Sequence, residues 1–273
     1  MRSPPSRAAL YDLFLGRLAG ADTMIAFLDT VRRWYGLAER PHVLDVGCGT
    51  GRLLPGMCAA RWQVEAVEPD PDYRAAAQAR APDVAVGAEG MLELDFEQRF
   101  DLICLINGPL AYLAGPLERR EALRRLLRAL DPGGVVVIDL PDFVHILQNH
   151  VKPEPKEASH DGFRLRRVAH QEIDAPASVW VHTDRTECTW AQGNGDDAGR
   201  ARWEDVVRLA IITVAELRDA LVTAGFVDVE SWPAWTSSMP GPHTGPRILL
   251  SGRRPERVPD QREVGGRARG QPE

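Results

Sequence analysis

The chain has 273 residues, 44% of them apolar and 26% charged, with a formal net charge of −6. That size suits one α/β domain with an elaboration, or two small domains. The negative balance argues against a nucleic-acid partner, because neutralising phosphates takes a basic face. No stretch approaches the roughly 20 apolar residues of a membrane span. Met1-Arg2-Ser3-Pro4-Pro5 lacks the apolar run of a signal peptide behind it, so the expected address is cytoplasmic. Cys48, Cys58, Cys104 and Cys188 show no C-x-x-C spacing, and no His/Cys/Asp cluster has zinc-site spacing, so no metal is expected. Lys152 and Lys156 are the only lysines; the many arginines reflect composition, and none is singled out for its type.

Residues 8 to 35 read as helical. Leu10, Phe14 and Leu18, then Ile25, Phe27, Leu28 and Val31, recur at helical steps, with Gly16 and Gly20 dividing two helices. Residues 1–40 thus form an N-terminal helical cap. From Pro41 to Leu140, strand and helix signals alternate, as in a doubly wound, mainly parallel sheet. The predicted strands are 42–46, 63–67, 84–86, 101–106 and 134–139, with helices over 52–60, 71–80 and 117–130. Leu123, Leu126, Leu127 and Leu130 give the last helix one apolar face, and Pro132-Gly133-Gly134 turns it into the next strand.

Beyond Leu140 the pattern changes. Phe143, Ile146 and Leu147 predict a short helix, and residues 152–156 a loop. Alternation from Phe163 to about Arg208 predicts an antiparallel element, so residues 141–208 read as an inserted β-rich acceptor or lid element. Thr213-Val214-Ala215-Glu216 is a capping box that opens a helix running to Gly225. Strands at Phe226–Val229 and Arg247–Leu250 complete the C-terminal part of the core, 209–253. Residues 254–273 are rich in Arg, Gly and Pro and read as a disordered tail.

The chain is organised around Val43-Leu44-Asp45-Val46-Gly47-Cys48-Gly49-Thr50-Gly51-Arg52. A strand that ends in a glycine turn and feeds a helix offers backbone N–H groups to a nucleoside-bearing ligand. The dinucleotide fingerprint needs Gly or Ala where Arg52 stands, and the Gly-Lys-Ser/Thr of a phosphate loop is absent. The second feature is Val64-Glu65-Ala66-Val67-Glu68-Pro69-Asp70. Glu68 ends this strand 17 residues after Gly51, where a carboxylate can accept both ribose hydroxyls.

Asp-x-Gly-x-Gly-x-Gly followed by this acid closely resembles the first motifs of the class I S-adenosylmethionine-dependent methyltransferases. From about residue 8 to 252 the chain is similar to their small-molecule branch, including the N-methyltransferases that act on amino-sugar nucleotides. Ala9-Leu10-Tyr11-Asp12-Leu13-Phe14, the Tyr112 turn, the late β insertion and the Gly-x-x-x-Gly-x-x-Ile-Leu close carry that similarity. The resemblance implies a seven-stranded-type sheet and S-adenosyl-L-methionine as cofactor. It implies cofactor contacts at Asp45, Gly47, Cys48, Gly49, Gly51, Glu68 and Pro69. It also implies contacts at Glu89 and Met91, with Gly90 where an acid usually stands, and at Leu105 and Asn107. A small-molecule methyl acceptor is the expected partner and a homodimer the expected assembly, with no nucleic acid and no membrane.

A sulfonium methyl is already electrophilic, so positioning and a dry pocket supply most of the rate. A hydroxyl acceptor asks for a general base near neutral pKa, most often His, whereas an amine can lose its proton before binding. Among the seven histidines, His145 and His150 follow the fifth strand. The expected catalytic set is His145, Asp142, which could orient a base, and, by what the resemblance implies, Tyr11 from the cap. The tryptophans of the later segment, Trp180, Trp190, Trp203, Trp232 and Trp235, are candidates for an aromatic wall. Two other readings stay open: a nicotinamide-dependent oxidoreductase, which Arg52 disfavours, and a catalytically silent binding protein of the same fold.

Overall fold

The computed structural model describes residues 5–14, 20–149, 154–191 and 198–256. Leu18, Gly16, His150 and nearly all of the predicted tail lie outside them. Two helices open the chain, α1 (Arg7–Phe14) and α2 (Ala21–Trp34). The alternating core then runs β1 (His42–Val46), α3 (Leu54–Ala59), β2 (Gln63–Val67), α4 (Pro71–Arg80), β3 (Ala85–Gly87) and β4 (Phe100–Leu105). A 3-10 turn at Pro109–Tyr112 leads to α5 (Pro116–Ala129), β5 (Leu130–Pro141) and α6 (Phe143–Gln148). An antiparallel run follows: β6 (Lys156–His160), β7 (Phe163–Asp174), β8 (Val179–Ala191) and β9 (Ala198–Ala210). The chain closes with α7 (Val214–Ala224), β10 (Val227–Trp232) and β11 (Arg247–Arg253).

The main sheet has seven strands in the order β10-β11-β5-β4-β1-β2-β3, and β11 alone runs antiparallel to its neighbours. Valines and leucines on both faces of β1, β4 and β5 make these strands apolar throughout, as a sheet covered on both sides requires. One face packs α5 and α7 through Leu123, Leu126, Leu217 and Leu221. The other packs α2 and α3 through Phe27, Leu28, Val31 and Met57. The strand order reverses between β4 and β1, which opens a crevice at their C-terminal ends.

Helix α4 starts where the pattern predicts, with Asp70 capping it by accepting the N–H groups of Asp72 at 2.9 Å and Tyr73 at 3.3 Å. The Thr213–Glu216 capping box is also present, each side chain meeting the other's backbone N–H. Two boundaries differ most from the sequence expectation. β5 starts at Leu130, paired with Phe100, and passes the Pro132-Gly133-Gly134 turn through a register shift. Lys156, expected in a loop, begins β6, whose partner β7 lies beyond a tight turn at Asp161-Gly162. The second sheet, β6-β7-β8-β9, is antiparallel throughout. Among the described residues no helix is long and apolar enough to cross a membrane.

Candidate active site

A cavity of about 500 Å³ lies over the C-terminal ends of β1, β2 and β4, between the glycine turn and the second sheet. Its floor is backbone. Gly47, Gly49 and Gly51 all sit in the left-handed region, at φ +68°, +58° and +72°. They do different work. A Cβ on Gly47 would come within 2.9 Å of Pro109, and one on Gly51 within 2.9 Å of the Ala77 backbone in α4. A Cβ on Gly49 would meet nothing within 4 Å, because it would stand in open space. Gly49 lines the cavity; Gly51, expected as a contact, serves helix packing instead.

Glu68 follows β2 and is 7% exposed. Its carboxylate accepts the Gly49 N–H at 2.8 Å and the Asp70 N–H at 2.9 Å, so it ties the glycine turn to the start of α4. Burial pushes its pKa above the usual carboxylate range, and the two N–H bonds pull it back. A carboxylate has about four acceptor positions, so two stay open to ligand hydroxyls. Asp45, in β1, is 3% exposed, with the Cys104 thiol donating to it at 3.5 Å. Burial pushes its pKa up to about 7, and the Glu68 charge adds to the rise. Neither acid has an ion-pair partner among the described residues, so the floor favours a ligand that brings positive charge and hydroxyl donors. Glu89, Met91, Pro69, Cys48 and Asn107, expected as cofactor contacts, also line the cavity.

The roof is the inner face of the second sheet. Arg167 holds Asp184 with both arms of its fork, Nε to Oδ1 at 2.8 Å and Nη2 to Oδ2 at 2.5 Å. His182 backs Asp184 at 3.0 Å, and these partners draw the Asp184 pKa down against its burial. Arg7 of α1 bridges roof and floor, meeting Asp205 at 2.9 Å and Asp70 at 3.3 Å. Asp12 in the same helix accepts the Thr50 hydroxyl at 2.6 Å and pairs with Arg80 at 2.5 Å, which seats α1 on the glycine turn. Tyr11, expected as a catalytic residue, lines the cavity and meets Tyr73 edge to face at 5.4 Å, and Tyr112 lines it as well.

Several sequence expectations fall elsewhere. Leu105 is fully buried in the sheet core; Ile106, the next residue, takes the wall position because successive strand side chains point to opposite faces. Asp142 and His145 do not line the cavity. Asp142 caps α6 by accepting the His145 N–H at 3.0 Å, and its other oxygen meets His243 at 2.8 Å. The tryptophans pack: Trp180 stacks on Phe143, Trp190 meets Phe163, and Trp232 and Trp235 meet Phe27. Trp203 packs with the apolar cluster around Leu10, Phe14 and Leu165. The cavity's aromatics are tyrosines and Phe14 instead. Arg167, Asp184, Asp205 and Tyr73 escaped the sequence reading. One signal existed for Arg167: it falls in phase with Phe163 and Leu165 on the buried face of β7.

Residues 43–134 match a family model described as a methyltransferase domain. The chain is 31% identical over 184 residues to the trans-aconitate 2-methyltransferase of Methylobacterium nodulans, covering 58% of this chain and 69% of that protein. It is 28% identical over 198 residues to the dTDP-3-amino-3,6-dideoxy-alpha-D-glucopyranose N,N-dimethyltransferase of Streptomyces fradiae, covering 71% and 73%. The solved structure of a sugar N-methyltransferase from a Streptoalloteichus species aligns with a TM-score of 0.74 at 25% identity, over 94% of this chain and 97% of the other. With the glycine turn, the buried acid that follows β2 and the seven-stranded sheet in place, the chain belongs to the class I S-adenosyl-L-methionine-dependent methyltransferases.

Proposed function

We propose that this enzyme methylates the amine of a small molecule, with an amino-sugar nucleotide as the acceptor class. The observation that carries the reading is the roof. Its charges are compensated in pairs: Arg167 with Asp184, Arg7 with Asp205 and Arg208 with Asp174. Such a surface offers donors and acceptors side by side, which suits a polyhydroxylated ring carrying an amine. A polycarboxylate acceptor, as in the name of the Methylobacterium relative, asks instead for cations without partners. The names of the Streptomyces and Streptoalloteichus relatives point the same way.

None of the described residues lining the cavity is a histidine. An amine that arrives neutral needs no enzymatic base, so this lining favours N over O transfer. When bound, the cofactor supplies a methyl group on a positively charged sulfur. Glu68 would accept its ribose hydroxyls, Gly47 and Gly49 would lie against it without side chains, and Asp45 would face positive charge in the cavity. Glu89 and Met91 would flank the adenine, while Tyr11 and Asn107 would border the transfer end. Alignment of the two reactants for in-line displacement, in a pocket closed by α1 and the roof, then supplies the acceleration.

The test is incubation with the cofactor and a panel of dTDP-linked amino sugars, matched hydroxy sugars and trans-aconitate. Mass gain of one or two methylene units on the amines alone is expected. Methylation confined to a carboxylate or hydroxyl acceptor would overturn the reading.

A further inference from the structure

Asp139 is the most buried acid of the core, 0% exposed, yet it touches no part of the cavity floor described above. A carboxylate so placed is costly unless every oxygen is engaged. Both are. Arg247 of β11 reaches it with two arms, Nε to Oδ1 at 2.8 Å and Nη2 to Oδ2. The backbone N–H of Asn107 donates to the same Oδ2 at 2.7 Å. The antiparallel register sets Asp139 opposite Leu249, so Arg247 lies two residues along on the same face of the sheet.

Asn107 is where the cavity wall turns. It stands at φ +68° and the following Gly108 at +91°, two left-handed residues in succession at the end of β4. That pair throws Pro109 back against Gly47, and it seats Gly108 within a Cβ's reach, 3.3 Å, of Pro141 at the end of β5. A buried apolar residue at 139 would pack the sheet equally well; it would leave the Asn107 N–H without an acceptor and the turn without its anchor.

We infer that Asp139 and Arg247 are positioning residues for methyl transfer: they fix the Asn107–Gly108 turn, and through it the wall at the transfer end of the cavity. Arg247 sets the carboxylate, the carboxylate sets the Asn107 peptide, and the peptide sets Asn107 and Pro109 against the glycine turn. The inference rests on the amine-methylation reading only for its turnover assay.

The experiment uses the full chain with Asp139→Asn, Arg247→Met and Arg247→Lys. Titration with S-adenosylhomocysteine, thermal unfolding, turnover of a dTDP-linked amino sugar and the Asn107 amide signal in a proton–nitrogen spectrum are read together. Well below the unfolding midpoint, Asp139→Asn and Arg247→Met are expected to lower kcat about tenfold or more while S-adenosylhomocysteine affinity stays within about threefold. Arg247→Lys keeps the charge without the fork and is expected to recover part of the loss. The Asn107 amide, bound to a carboxylate, is expected to resonate downfield and exchange slowly in the wild type, and to lose both properties in Asp139→Asn. Unchanged kcat per folded molecule, or a loss that only follows the folded fraction, overturns the proposal. So does an Asn107 amide that Asp139→Asn leaves unmoved, a readout that needs no acceptor. Should the wild type methylate none of the amines, the preceding reading fails, and the amide signal alone decides this one.

Discussion

The floor and the roof of the cavity bind by different physics. The floor is backbone and acid: the left-handed Gly47 and Gly49, and the buried Glu68 and Asp45, neither of which has an ion-pair partner among the described residues. The roof is side chain and compensated charge, Arg167 with Asp184 and Arg7 with Asp205. A floor of that kind is destabilised until a cation arrives, so it selects a ligand by charge. The roof is already neutral, so it selects by the geometry of donors and acceptors.

The largest expected effect tests the floor's shape. Gly49→Val fills the one glycine of the turn whose Cβ would stand in open space, so S-adenosylhomocysteine binding should become weaker than millimolar, a loss of about 4 kcal/mol or more from micromolar. Gly51→Val should instead unfold the chain, since its Cβ meets the Ala77 backbone at 2.9 Å. Thermal melts beside the titrations separate the two.

Asp45→Asn tests the floor's charge. Burial raises the Asp45 pKa from the usual 3.8 to about 7, so the folded chain holds its proton more tightly than the unfolded chain. The resulting stability is complete below the lower value and is lost as pH rises through about 7. The cofactor-free protein should therefore melt lower at pH 8 than at pH 6 through this group. Asp45→Asn should remove that step, about 1.4 kcal/mol of the roughly 4 kcal/mol lost over the whole range between the two pKa values. The bound sulfonium favours the carboxylate, so affinity for S-adenosyl-L-methionine should rise with pH over the same window in wild type and stay flat in the variant.

Glu68→Ala is expected to weaken S-adenosylhomocysteine binding by about 2–3 kcal/mol, because it removes the proposed ribose acceptor and releases the Gly49 N–H together. A parallel loss of global stability would show that Glu68 serves the fold rather than the ligand. Arg167→Met should do the reverse of these floor variants. It should raise KM for the acceptor about tenfold and leave cofactor affinity unchanged. If cofactor affinity falls with it, floor and roof are not separable.

The same contrast explains what was legible in the sequence. The floor is local: Asp45 to Gly49 and Glu68 fall at the C-terminal ends of two adjacent strands, and the chemistry of a tight turn restricts residue choice at each place. Helix α4, predicted as 71–80, runs Pro71–Arg80 for the same reason, with its cap written in the preceding Asp70. The roof is assembled by pairing across strands, Arg167 beside Asp184 and Asp184 opposite Asp205, and no local pattern announces which arginine among many meets which acid. His145 and Asp142 were read as base and orienter from their place after β5. The antiparallel return of β11 instead brings His243 to Asp142 and closes that corner away from the cavity. Leu105 missed by a single residue, which in a strand is a whole face.

The most direct measurement is calorimetric titration of the full chain with S-adenosylhomocysteine, with NAD as the control ligand. Micromolar binding of the first, roughly −8 kcal/mol, and none of the second is the predicted result. A folded chain that binds neither, or binds NAD in preference, would contradict the assignment of the glycine turn and Glu68 to the cofactor.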